Sequence, residues 1–177
     1  MGVTDRDHID RFLERLASLG HPDIDLEVEA IVDRIGGINR RIKKGMEVTL
    51  SEYGLTLPDW QVLSTLRLSR QNLRSSPGDL ADDLELSSGA MTSRLDRLEQ
   101  AGLVRRLPDP EDRRGVVVEL TPEGLQAWDQ AASIQARKEA FFASALTKAE
   151  QERLNALLRK LMLAFEAAEP ADPSKLH

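Results

Sequence analysis

Four arginines, Arg105, Arg106, Arg113 and Arg114, fall within ten residues of a chain whose formal net charge is -6. A guanidinium is always charged and presents its N–H donors as a planar fork, the shape that suits phosphate and carboxylate. The stretch that carries them, LVRRLPDPEDRRGVVVELT, bends through Pro108, Asp109, Pro110 and Gly115. So basic a corner on an acidic chain points to a polyanion as partner, because the placement of cations matters more than their sum. A solvated, salt-bridged surface is the competing reading. Over residues 87–115 six arginines stand against five acidic residues, a local net charge of only about +1.

Other chemistries are poorly supplied. The 177 residues include no cysteine, which removes disulfides, thiolate metal sites and thiol redox sensing. The three histidines, His8, His21 and His177, lie near the ends and make no plausible metal or catalytic cluster. There is no P-loop, no GxGxxG stretch and no carboxylate pair marked out for acid–base work. Neither an enzyme nor a cofactor is expected. No apolar run reaches the length of about 18 residues that a membrane span needs. Asp5, Asp7, Asp10 and Glu14 are out of place in a signal peptide, so a cytoplasmic protein is expected.

The elements that must position the corner follow from periodicity and punctuation. Ile9, Phe12, Leu13, Leu16 and Leu19 predict a helix over 5–19, broken at Gly20, His21 and Pro22. A second helix carries Ile31, Ile35, Ile38 and Ile42 on one face and ends near Gly54. A third covers 57–69, with Trp60, Leu63 and Leu66 on its apolar side, and QNLRSSPG reads as a loop. Pro77 opens a short helix, Glu85 and Leu86 form a turn, and Ser87 caps a helix that Gly102 stops. Residues 103–107 and 116–120 then read as a β-hairpin. Thr121 and Pro122 start a long helix, and Thr147 with Glu150 forms a capping box for the last one. The expected fold is mainly α with a small β-hairpin wing, a winged helix-turn-helix. Residues 1–56 would hold an extra helix and a dimerisation helix, 57–121 the winged lobe, and 122–177 the C-terminal dimerisation helices. The terminal helices have apolar faces too wide for the small centre to cover, which implies a homodimer.

On the helix after Ser87, Met91, Leu95 and Leu98 recur at core spacing. Gly89, Ser93, Asp96 and Gln100 lie opposite, with Thr92 and Arg97 on the flanks. A small, polar outer face can approach base edges in the major groove, and an Arg-tipped wing can enter the minor groove. Asp112 and Arg114 are two residues apart, so the carboxylate can hold the guanidinium in one geometry. Arg94 lies beside the core face and needs an anionic partner, either a neighbouring carboxylate or a ligand such as an aromatic acid. Trp60 and Trp128 sit at helical spacing among apolar residues, the pattern of core or interface. A winged helix that binds another protein and no specific DNA remains the alternative.

From Leu80 to Gly124, LADDLELSSGAMTSRLDRLEQAGLVRRLPDPEDRRGVVVELTPEG resembles the MarR family of transcriptional regulators. Asp112-Arg113-Arg114 matches the family's DxR wing element. The resemblance implies a homodimer joined through its first and last helices. It implies a pseudo-palindromic double-stranded DNA operator, with the two recognition helices in major grooves about one turn apart. It places Ser88, Thr92, Ser93 and Arg97 on the recognition helix and Arg113 and Arg114 on the wing, Asp112 orienting Arg114. SSGAMT and DRLE, with the extra N-terminal helix, are most similar to the urate-responsive members. Arg94 and Arg106 match that subgroup's two ligand arginines by spacing. No tryptophan precedes Trp60, and Gln61 stands where an Asp is expected, with Asp59 two residues away. The ligand-side candidates are thus Trp60, Gln61, Arg94 and Arg106, and the implied activity is repression released by a small anionic effector.

Overall fold

The computed structural model describes residues 6–68, 73–110 and 115–168, and all structural statements concern these. Seven helices and three short strands follow one another as α1 (His8–Ala17), α2 (Leu26–Ser51), α3 (Leu57–Leu68), β1 (Arg74–Ser75), α4 (Pro77–Asp83), α5 (Ser88–Gln100), β2 (Val104–Pro108), β3 (Val116–Leu120), α6 (Pro122–Ala143) and α7 (Lys148–Ala168). Among the described residues no helix is long and apolar enough to cross a membrane.

The helix ends are where local sequence acts most directly, because the first amides of a helix have no partner within it. Asp7 caps α1 through Ile9 and Asp10, and the Asp10 carboxylate returns to the Asp7 amide at 2.7 Å. Asp25 caps α2, Ser76 caps α4 with Pro77 in its first turn, and Ser87 caps α5 by accepting from the Ala90 amide at 3.3 Å. At the other end of α5, Gly102 takes φ +72°, a conformation cheap only for glycine. Its amide bonds the Glu99 carbonyl at 2.9 Å and the Leu103 amide bonds the Leu98 carbonyl at 2.9 Å, the paired closure that ends a helix. The predicted Thr147–Glu150 capping box is present, with the Thr147 amide donating to Glu150 at 2.8 Å.

The chain forms two compact units, Met1–Gln135 and Ala136–His177, and α6 runs through the division. In the first, the interhelical core gathers Leu50 from α2, Val62, Leu63 and Leu66 from α3, Leu80 from α4, and Met91, Leu95 and Leu98 from α5. Val104, Val118 and Leu120 of the sheet and Ala131 of α6 complete it. Each buried Leu contributes on the order of 1.5–3 kcal/mol by leaving water. In the second unit α7 has no buried residue, and Gln151 ties its start to the carbonyls of Ala143 and Leu146 at 2.9 and 3.2 Å.

The wing is larger than a hairpin. β3 lies between β2 and β1, antiparallel to both, in the order β1-β3-β2. The stretch QNLRSSPG before the body of α4 reads in sequence as a loop. The structure instead pairs Arg74 with Glu119 and Ser75 with Val118. Two residues show no alternation to detect, and Leu73 at φ 62°, with its carbonyl accepting from the Leu120 amide at 3.0 Å, steers the chain into the pairing. After β3, Thr121 accepts from Gly124 at 3.0 Å and donates to the Gly102 carbonyl at 2.7 Å. That seats α6 on the turn after α5 so closely that a Cβ on Gly124 would lie 2.0 Å from the Leu103 carbonyl oxygen.

Candidate nucleic-acid interface

Short α4, a turn with Glu85 at φ 52° and α5 make the helix-turn-helix, closed by a 2.8 Å bond from the Leu86 amide to the Ala81 carbonyl. Met91, Leu95 and Leu98 are buried, as their spacing requires. That burial turns the opposite face of α5 to solvent. Ser88, Gly89, Ala90, Thr92 and Ser93 are all exposed there. Thr92 donates its hydroxyl to the Ser88 carbonyl at 2.8 Å, so its lone pairs face outward as acceptors. The amides of Ser88 and Gly89 precede the first intrahelical bond, from Met91 to Ser87. Two unspent N–H groups at a helix start form a phosphate-sized positive end.

The charges around this face are mostly paired within the chain. Arg106, on β2, reaches across to α5, donating to Asp96 at 2.7 Å and to Glu99 at 2.5 Å. Its own amide donates to Glu99 at 2.9 Å. Burial works to lower the Arg106 pKa, but the two carboxylates outweigh it and hold the guanidinium above its ordinary value. On the other face of the sheet, Glu119 accepts from Arg105, its partner on β2, and from Arg74 on β1 at 2.8 and 2.6 Å. Arg105 first and Arg74 second keep that carboxyl below its usual range. Glu119 went unnoticed in the sequence, yet alternation along β3 was the available signal: Val118 and Leu120 are buried and Glu119 stands between them.

Arg97 is engaged as well. It pairs with Asp59 and its Nη2 donates to Thr56 Oγ1 at 3.4 Å. Asp59 is 2% exposed and accepts from the Thr56 amide at 2.7 Å and the Thr56 hydroxyl at 2.6 Å. Thr56-x-x-Asp59 has capping-box spacing, the cue in the sequence for a carboxylate folded back on a helix start. Arg94 is half-buried and makes no hydrogen bond or ion pair among the described residues. Asp112, Arg113 and Arg114 lie outside the described residues, although the wing that carries them is closed below by a 3.0 Å bond from the Asp109 amide to the Gly115 carbonyl.

The remaining ligand-side candidates separate. Gln61 is exposed on α3. Trp60 is half-buried, its ring stacked on Trp128 with centroids 5.4 Å apart and planes 4° from parallel. The Trp128 indole donates to Ser64 at 2.9 Å, and the Arg67 guanidinium lies 5.5 Å from its ring centre. One face of Trp60 is therefore occupied by the chain's own second tryptophan, which fastens α6 to α3.

Known proteins are similar to this chain in sequence and in fold. The MarR family profile matches residues 55–116, the span from the start of α3 to the start of β3. The chain is 31% identical over 140 residues to the HTH-type transcriptional regulator PecS of Dickeya dadantii, covering 79% of this chain and 84% of that one. Among solved structures it is similar to AbsC, a MarR family transcriptional regulator from Streptomyces coelicolor, at TM-score 0.66 and 27% identity over 81% of this chain and 97% of that one. It is also similar to a mutant MarR from E. coli complexed with operator DNA, at TM-score 0.62 and 30% identity over 78% of this chain and 98% of that one.

Proposed function

The chain belongs to the MarR family, and from that premise we propose that it is a dimeric, sequence-specific DNA-binding transcriptional regulator. The observation that carries this reading is the outer face of α5. It is small, hydroxyl-bearing and free of charge at its start, with two free amides, while the carboxylates of α5 itself, Asp96 and Glu99, are held by Arg106. Ser88, Thr92 and Ser93 would read base edges, and the start of α5 would take a phosphate. Arg113 and Arg114 would enter the minor groove, with Asp112 holding Arg114. The exposed apolar faces of α2 and α7 support a two-fold dimer that would present two such helices to a pseudo-palindromic site.

Regulation would come from a small anion, such as an aromatic acid, bound at Arg94. Its half-burial without a counter-ion among the described residues is what favours this. The anion would release a repressor by stabilising an arrangement of the two recognition helices that no longer matches the operator. Such a ligand acts only through its difference in affinity for the two arrangements.

The test is selection from a random DNA pool, followed by gel-shift titration of the enriched duplex against unrelated competitor. DNA from upstream of the chain's own gene is the first natural duplex to assay. Competitor-resistant binding is expected, and an aromatic acid at millimolar concentration should weaken it. A pool that never enriches would overturn the DNA reading in favour of a protein-binding winged helix.

A further inference from the structure

Arg97 stands on the recognition helix, where a cation is ordinarily assigned to DNA. Its surroundings indicate another role. Asp59 is almost fully buried at the start of α3, and a carboxylate taken out of water needs both a cation and hydrogen bonds. Thr56 supplies the hydrogen bonds, through its amide and hydroxyl. Arg97 supplies the cation and also touches the Thr56 hydroxyl, so three groups from two helices close on one carboxylate. The Arg97 side chain remains half exposed, at 50%, while that of Asp59 is 3% exposed. Arg97 also lies nine residues beyond Ser88, in the third turn of α5.

We propose that Arg97 is a positioning residue for DNA recognition. It anchors the third turn of α5 to the capping box of α3 through Asp59, and so sets the angle at which Ser88, Thr92 and Ser93 meet the groove. Together with Arg106 on Asp96 and Glu99, the link clamps α5 from α3 and from the wing sheet at once. Affinity for phosphate then resides in the wing arginines and the start of α5, and α5 contributes geometry and base contacts. This inference rests on the DNA-binding reading above.

The two roles predict opposite signs for one substitution. Asp59→Asn makes the protein one charge more positive and frees the Arg97 guanidinium. If Arg97 touched DNA directly, D59N would bind the enriched duplex as tightly as the wild type or more so. If Arg97 positions α5, D59N binds that duplex about tenfold more weakly, the size of effect usual for a coupled pair. Its binding to an unrelated duplex does not fall. Arg97→Gln should show the same loss, and D59N/R97Q should be no worse than the weaker single variant. The slope of log K against log salt should stay unchanged throughout, whereas a lost phosphate contact lowers it by about 0.9. Loss of folded protein lowers binding to both duplexes equally, so their ratio isolates positioning. If D59N melts, R97Q and the double variant, which leaves no unpaired charge, decide the matter. Unchanged or tighter binding by D59N, additive losses, or a reduced salt slope for R97Q would each overturn the proposal. A wild type that enriches no duplex overturns the DNA-binding reading itself, a result distinct from these.

Discussion

Within Met1–Gln135 the winged lobe closes a core, whereas α2 of that unit and α7 of Ala136–His177 leave apolar faces exposed. In the first, helices and sheet enclose a continuous core in which Leu50, Val62, Leu63, Leu66, Leu80 and Val118 have no exposed surface. In the second, α7 buries nothing, and Leu154, Leu157, Leu158, Leu161, Met162, Leu163 and Phe165 are all exposed. A run of seven large apolar side chains on one helix exceeds what a monomer leaves in water. On α5, Arg97, Asp96 and Glu99 are matched to fixed partners on other elements. The winged lobe thus closes its core within one chain, and in the dimer proposed above a second copy would cover the C-terminal helix.

The comparison can be broken most severely at the core. Leu95→Ala should cost about 2–5 kcal/mol in urea unfolding, as for a buried Leu that leaves a cavity. Leu158→Ala should cost far less at low protein concentration, where monomers dominate. Equal losses from the two would erase the distinction. Next in size, Leu157→Glu with Leu161→Glu should yield a monomer in sedimentation at micromolar concentration, with the melting of the winged lobe retained. A persistent dimer would place the interface on other faces.

Gly124→Ala tests how tightly the first unit is closed, because the added Cβ would meet backbone at 2.0 Å and neither side is a flexible side chain. A loss of about 1–3 kcal/mol is expected, typical of overpacking; a neutral substitution would mean that α6 can lift off Leu103. The smallest effect belongs to the clip between α1 and α2. The Arg34 guanidinium first, with the Asp10 amide second, lowers the Asp7 carboxyl from 3.8 to about 2. A depressed carboxyl stabilises above its unfolded value and loses that contribution as pH falls through its folded one. Melting should therefore decline slightly from pH 4 to pH 2, and Asp7→Asn should flatten that stretch. An unchanged profile would leave the docking of α1 to Ile9 and its apolar neighbours alone.

Most of the order of elements was legible because its determinants are local. Ser87, Gly102 and Thr147 cap or stop helices with bonds to residues three to five positions away, and Met91, Leu95 and Leu98 mark a buried stripe by spacing alone. The helix ends were legible only approximately: α1 runs His8–Ala17 where 5–19 was expected, since its apolar period continues through Leu19, where the amide already bonds three residues back, to the Leu16 carbonyl, as the helix closes. The resemblance to the MarR family was equally readable, because its motif lies in one continuous stretch from Leu80 to Gly124. The candidate site was legible as a set of residues and not as a set of partners. Arg106 was singled out for a ligand and meets Asp96 and Glu99, while Trp60, also singled out, stacks on Trp128.

The sequence by itself determined the helices, the turn, the two long wing strands and the small polar face of α5, since periodicity and capping act within a few residues. Only the tertiary structure decided that Arg74 and Ser75 form a strand, that Glu119 joins Arg74 to Arg105, and that Arg97 serves a buried Asp59. Those pairings join residues 14 to 45 positions apart. An ion pair carries no period along the chain, and its partner is fixed only when the packed core has brought two backbones together.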